Sequence, residues 1–291
     1  MLAPHALLRG IVDYAGLFPP AQLAMAPAVR NYAAYRAGPH AWALGRFVLP
    51  VARLAEFEAA AAPLLDGAAG PWPISALSAD PAADRAAIED FNRRLAGLAV
   101  IDALECKAAR PAEIAAALAG APAGISVFVE IPIAADPEPL VSALAGAGGR
   151  AKVRTGGVTA EAFPPPAELA RFLAACARHA VPFKATAGLH HPLRAEHPLT
   201  YEPASPRGVM HGFLNVFLAA ALLRAGGSQA QAAELLAETD AAALAWSPEA
   251  VAWRGWRFDA AALADLRAAA IGFGSCSFEE PIDDLHSLEV L

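Results

Sequence analysis

Short apolar runs recur along this chain at 46–50, 73–77, 98–104, 125–132, 151–155 and 182–186, with starts about 25 to 31 residues apart. That interval is the length of one strand plus one crossover helix. Near-continuous apolar strands separated by helices form parallel sheets, because helices on both faces leave each strand buried on both sides. The intervening segments follow helical spacing. Leu54, Phe57, Ala61, Leu64 and Leu65 make one apolar stripe, Ile88, Phe91 and Leu95 a second, and Leu169, Phe172, Leu173 and Cys176 a third. Asp80-Pro81 and Asp136-Pro137 mark helix starts, each placing a capping aspartate before a proline suited to the first turn.

A closed (β/α)8 barrel and an open doubly wound sheet share these local patterns, but no Gly-x-Gly-x-x-Gly follows the first run, which favours the barrel. The 291 residues slightly exceed the roughly 250 typical of that fold. The expectation is a single-domain α/β protein: a TIM-type barrel over 44–291, with residues 1–43 as an N-terminal extension packed on it. After residue 187 the rhythm breaks. A His/Pro/Arg-rich loop runs to about Arg207, an apolar helix spans about 212–224, and Ser228 caps another, so a helical insertion late in the barrel is expected. The seventh strand falls near Val209 or at 241–246, and an eighth at 271–278 follows a helix starting near Asp259.

The net charge of −7, with no cationic block longer than Arg93-Arg94, lacks the footprint of a nucleic-acid binder. Arg9 and Asp13 interrupt the N-terminus before a signal-peptide core can form, and the longest apolar stretch, 212–223, is shorter than the roughly 20 residues of a membrane span. A cytoplasmic protein with no membrane partner is expected. Cys106, Cys176 and Cys276 are odd in number and widely spaced, which argues against disulfides and structural zinc. Trp246, Trp253 and Trp256 read as packing residues or as the interface of a homo-oligomer.

In either α/β fold, ligands bind at the C-terminal ends of the strands. There the chain reads Lys152-Val153-Arg154-Thr155-Gly156-Gly157, and one strand later Phe183-Lys184-Ala185-Thr186-Ala187-Gly188. Alternation puts Lys152 and Arg154 on one face of their strand and Lys184 and Thr186 on a common face of the next, and adjacent strands about 4.8 Å apart bring them into one pocket. Cations facing a barrel interior are costly unless they meet anions or lose a proton. Asp102, Glu105 and Glu130 are acid/base candidates. Glu130 is preferred because it interrupts an apolar strand just before a proline; an ion pair with Lys152 or Arg154 is its structural alternative. His190, His191, His197 and His211 lie within 22 positions. They suit substrate hydrogen bonding or proton transfer, or a divalent metal held together with an acid; no metal ligand is assigned among them. Residues 13–20 read as a plug over the barrel mouth, and the acidic segment 278–284 as a solvated tail or a partner for the cationic pocket.

These segments resemble class I aldolases of the deoxyribose-phosphate aldolase type, which are (β/α)8 barrels. The resemblance covers about twenty residues. Lys152, Thr155 and Gly156 match a Lys-x-x-Thr-Gly strand carrying the Schiff-base lysine, Lys184 the second lysine one strand on, and Gly274-Ser275-Cys276-Ser277 a phosphate-binding turn. It implies that Lys152 is the nucleophile, that Lys184 lowers its pKa, and that Ser275 and Ser277 bind a phosphate. Arg154 departs from the pattern, standing where the family has a small residue.

A lysine of pKa about 10.4 is deprotonated only a few parts in ten thousand at pH 7. Reaching about 7 takes roughly 4 to 5 kcal/mol of differential destabilisation of the ammonium. The same cations also suit a non-covalent clamp on a carboxylate or phosphate. Three readings result. The first is a lyase acting on a small carbonyl or anionic metabolite through a lysine imine, with Lys152, Lys184, Glu130 and His190 catalytic and Arg154, Thr155, Gly156, Thr186, His191, His211, Ser275 and Ser277 binding substrate, without a cofactor. The second is a metal-dependent lyase or hydrolase using the histidines. The third is a catalytically silent barrel that binds an anion.

Overall fold

Eight strands close into an all-parallel barrel in the computed structural model of the chain, which describes residues 2–67 and 70–291. Met1, at the head of the N-terminal stretch, and Ala68 and Ala69, before the second apolar run, lie outside the described residues. The first seven strands are β1 (Val12–Tyr14), β2 (Leu44–Pro50), β3 (Trp72–Leu77), β4 (Ala99–Lys107), β5 (Ser126–Glu130), β6 (Arg150–Arg154) and β7 (Phe183–Thr186). Then come β8 (Ala195–Pro198) and β9 (Arg207–Met210) as an antiparallel hairpin, and β10 (Ala245–Trp246), β11 (Ala250–Trp253) and β12 (Trp256–Asp259) as a small antiparallel sheet. Finally β13 (Ala270–Ser275) closes the barrel between β7 and β1.

Helices alternate with the strands: α1 (Ala3–Leu8), α2 (Met25–Ala37), α3 (Leu54–Ala61), α4 (Pro81–Arg94), α5 (Pro111–Gly120), α6 (Glu138–Ala147), α7 (Pro166–Arg178), α8 (Phe213–Arg224), α9 (Gln229–Ala237), α10 (Ala260–Ala269) and α11 (Glu279–Ser287). Local chemistry sets their starts. Asp80 accepts from the N–H groups of Ala82 and Ala83 ahead of α4, Ser228 and Gln231 cap α9 reciprocally, and Asp259 accepts from Ala262 N–H at α10. Asp136 accepts from Glu138 N–H at 3.1 Å, so α6 begins one residue later than the Asp-Pro pair suggests.

The (β/α)8 expectation holds, with two corrections. Residues 1–43 are not only an extension, since they supply the first barrel strand: Val12 pairs with Leu44 and Phe273, and Tyr14 with Phe47 and Ser275. Asp13 in its centre breaks the apolar pattern that would have announced it. The segments near Val209 and 241–246 do form strands, but in the hairpin and the small sheet. The late insertion is therefore mixed, with α8 and α9 between two antiparallel elements.

Outside the barrel wall the core is apolar. Ala151, Val153, Phe183 and Ala185 are buried, and Phe183 meets Phe172 of α7 and Phe217 of α8 at ring-centroid distances of 5.9 and 6.3 Å. Burying Val153 or one of these phenylalanines contributes roughly 1.5–3 kcal/mol. α8 is buried from Phe213 to Leu222, which accounts for its apolar character all round. Among the described residues no helix is long and apolar enough to cross a membrane.

Candidate active site at the barrel mouth

The inward positions of the strands carry charge where barrels of this type usually carry branched apolar side chains. Register places Lys152 opposite both Glu130 and Lys184, and Arg154 opposite Thr186. β4 contributes two acids only three residues apart, Asp102 and Glu105, which a regular strand would point to opposite faces. An extra residue between Ile101 and Ala103, opposite the Ile74–Ser75 step of β3, shifts the alternation and turns both inward.

Asp102 goes to structure: its carboxylate takes both the Nε and the Nη2 of Arg46 at 2.7 Å. Glu105 is the hub of the layer above. Its Oε1 accepts from Lys184 Nζ and Ser75 Oγ, both at 2.6 Å, and its Oε2 lies 2.7 Å from Lys152 Nζ. Lys184 also donates to Asp13 Oδ2 at 2.5 Å. The other Asp13 oxygen accepts from Arg46 N–H at 2.7 Å, and Gly45 leaves the room for this, since a Cβ there would lie 2.3 Å from it. Although burial would raise it, Lys152 and Lys184 hold the Glu105 carboxyl far below the usual carboxylate range. Burial alone would lower Lys184, but Asp13 and Glu105 reverse this and raise it, so it stays an ammonium.

Lys152 is held differently. Its Nζ lies 3.0 Å from Glu130 Oε2, an ion pair off the hydrogen-bond direction that leaves this buried oxygen without a hydrogen-bond donor. The other Glu130 oxygen faces Arg154 Nε at 3.4 Å and Lys107 Nζ at 3.5 Å. Burial works against ionisation of Glu130, yet Lys152, Arg154 and Lys107 hold its carboxyl below the ordinary value.

Above this layer opens a cavity of about 300 Å³ lined by Lys152, Arg154, Thr186, His190, Tyr201 and Glu280, among others. Phe18, Pro19 and Pro20 wall one side, so the N-terminal segment does cover the mouth, and the β8–β9 hairpin adds Pro198, Tyr201 and Met210. His190 Nδ1 lies 3.1 Å from Glu280 Oε2 and 3.3 Å from Ser275 Oγ. Tyr201 donates to the same Glu280 oxygen at 2.8 Å. Burial would raise Glu280, but His190 and Tyr201 keep it below its ordinary value. His191 Nδ1 pairs with Asp284 at 2.6 Å and stacks on His197 with ring centroids 3.5 Å apart; burial and the charge of His191 push His197 down to about 4.

Of the residues expected from sequence, Lys152, Arg154, Thr186, His190 and His191 meet at the cavity, while Lys184 and Glu130 lie against Lys152 behind its wall. Five do not reach it. Thr155 is fully buried and donates to Ala187 O at 2.7 Å, tying β6 to β7. Gly156 sits under Phe163, where a Cβ would come within 2.3 Å of the ring. His211 is buried on Pro164 O at 2.7 Å. Ser275 is buried against His190, and Ser277 Oγ accepts from Glu280 N–H at 3.1 Å. Asp13, Ser75, Tyr201 and Glu280 were not singled out; the available signals were an acid within the dense 13–20 segment and an acidic pair facing the cationic pocket. Among the described residues no three His, Cys, Asp or Glu side chains are grouped to hold a metal ion. Comparison with protein-family models, with curated proteins and with solved structures returned no match to this chain.

Proposed function

We propose that the chain is a lyase that forms an imine between Lys152 and a small carbonyl compound. One observation carries this reading: Lys152, ion-paired with Glu105 and Glu130, is only 5% exposed yet lines the cavity, whereas Lys184, enclosed by Asp13 and Glu105, does not reach it. A buried amine that reaches the cavity beside a carboxylate able to take its proton is what a nucleophile in a pocket requires. Glu130 Oε2, 3.0 Å away and short of a donor, takes the proton that the ammonium must lose. Glu105 is the weaker base, because two lysines hold its carboxyl far below the usual carboxylate range. The free amine adds to the carbonyl carbon to give a carbinolamine; its oxygen then leaves as water, and the C=N bond forms. With the nitrogen cationic, a neighbouring carbon–carbon bond can break, its electron pair moving toward the iminium. His190, oriented by Glu280, is the group placed to take the proton from a substrate hydroxyl. Lys184 acts as a positioning residue that fixes Glu105, and Arg154 at the rim pairs with Glu130.

The inner layer weighs against a plain anion clamp, since Asp13, Glu105 and Glu130 already outnumber Lys152 and Lys184. Oxygen exchange tests the reading, because reversible imine formation passes a carbonyl oxygen to water. A small ketone labelled with heavy oxygen, slow to hydrate by itself, should lose its label faster with wild type than with Lys152→Met. Equal rates would remove the imine.

A further inference from the structure

The wall of the cavity built by β13 and the start of α11 is where the aldolase resemblance implies a phosphate. Its chemistry is the wrong way round for one. Ser275 Oγ accepts from Ser277 N–H at 3.3 Å and Ser277 Oγ accepts from Glu280 N–H at 3.1 Å, so these two backbone donors are used within the turn rather than offered to a phosphate. This wall brings no lysine or arginine to the cavity; its charged contribution is Glu280. The cavity's cations, Lys152 and Arg154, both come from β6, and both are paired with Glu130.

Glu280 is also half-satisfied. His190 and Tyr201 both meet Oε2, whereas Oε1 has no hydrogen-bond partner among the described residues and is not buried away from ligand. A carboxylate oxygen open to a cavity accepts from a hydroxyl and repels a phosphate dianion. The charge at this end is assured at neutral pH, since its two partners hold Glu280 ionised.

We propose that this wall binds a hydroxyl of the substrate through Glu280, so that the compound taken is an unphosphorylated hydroxy-carbonyl rather than a sugar phosphate. The carbonyl end of this assignment rests on the imine reading; the preference at the tail does not. It is tested with probes that have no carbonyl: erythritol and erythritol 4-phosphate, their dissociation constants obtained by ligand-observed saturation-transfer titration against wild type, Glu280→Gln and Tyr201→Phe. Erythritol should bind wild type at least tenfold tighter than its phosphate. That ratio should fall several-fold in Glu280→Gln, which keeps the shape but loses the charge, and persist within about threefold in Tyr201→Phe, which keeps the charge. Equal or tighter binding of the phosphate by wild type, or no binding of erythritol, overturns the proposal even if a variant fails to fold. So does a ratio that folded Glu280→Gln leaves unchanged. Loss of imine chemistry would leave these ratios as they are, and a reversed ratio would leave oxygen exchange by Lys152 as it is.

Discussion

The two faces of the barrel wall obey different rules. On β6 and β7 the outward residues are Ala151, Val153, Phe183 and Ala185, packed beneath α7 and α8, while the inward residues include Lys152, Arg154, Lys184 and Thr186. The outer residues and the two inner lysines are buried, but the outer face is held by contact and the inner one by matched charge. An apolar face loses stability in proportion to what is removed from it. A charged layer fails abruptly when one partner goes, because the others are left desolvated and unpaired. The fold therefore rests on the outer face, and the inner face can depart from the usual apolar filling only because Glu105 and Asp13 close the ledger around Lys184.

The sharpest way to break this contrast is Lys184→Met, which strips a cation from Asp13 and Glu105 at once. We expect a loss of about 3–5 kcal/mol in urea unfolding, the cost of breaking a buried pair. A stability near wild type would mean that the charged layer tolerates the loss of a partner and does not differ from the outer face in this way. Leu218→Ala on the outer face should cost about 2–5 kcal/mol by leaving a cavity. It should leave labelling of Lys152 unchanged at temperatures where the variant is folded; lost labelling would show that the two faces are not separable.

A smaller effect is the pH dependence. The Glu105 carboxyl is depressed in the folded chain, so its contribution is present above the ordinary 4.5 and lost as pH falls below it toward the folded value. Lys184 is raised, so its contribution is present below the ordinary 10.5 and lost as pH climbs through the folded value. Urea midpoints should fall on both sides of a broad plateau. Glu105→Gln should flatten the acid side and Lys184→Met the alkaline side; limbs that both variants leave unaltered would place the titration elsewhere.

The outer face was legible because its regularities are local: strand spacing, helical stripes and capping residues recur within a few positions of one another. The inner face was legible only in part. Lys152, Arg154 and Lys184 stand out as cations in apolar strands, but their partners lie far along the chain. Asp13 is 171 positions from Lys184, inside a three-residue strand whose apolar pattern it interrupts itself. Glu105 ranked behind Glu130 because nothing in the local pattern shows the extra residue in β4 that turns it inward. Glu280 read as part of a solvated acidic tail, since only the closed barrel brings it to His190, 90 positions earlier. Thr155 and Gly156 matched an aldolase-like strand, yet they serve the loop that leaves β6, where Thr155 Oγ1 ties it to the residue after β7 and Gly156 makes room for Phe163.

The central claim is that of two adjacent buried lysines only Lys152 is the nucleophile. Borohydride reduction with a panel of small aldehydes, ketones and 2-oxo acids, followed by peptide mass spectrometry, measures this directly. One reduced adduct is expected, on Lys152, absent in Lys152→Met and still found on Lys152 in any folded Lys184→Met. An adduct on Lys184, or none with any member of the panel, would contradict it.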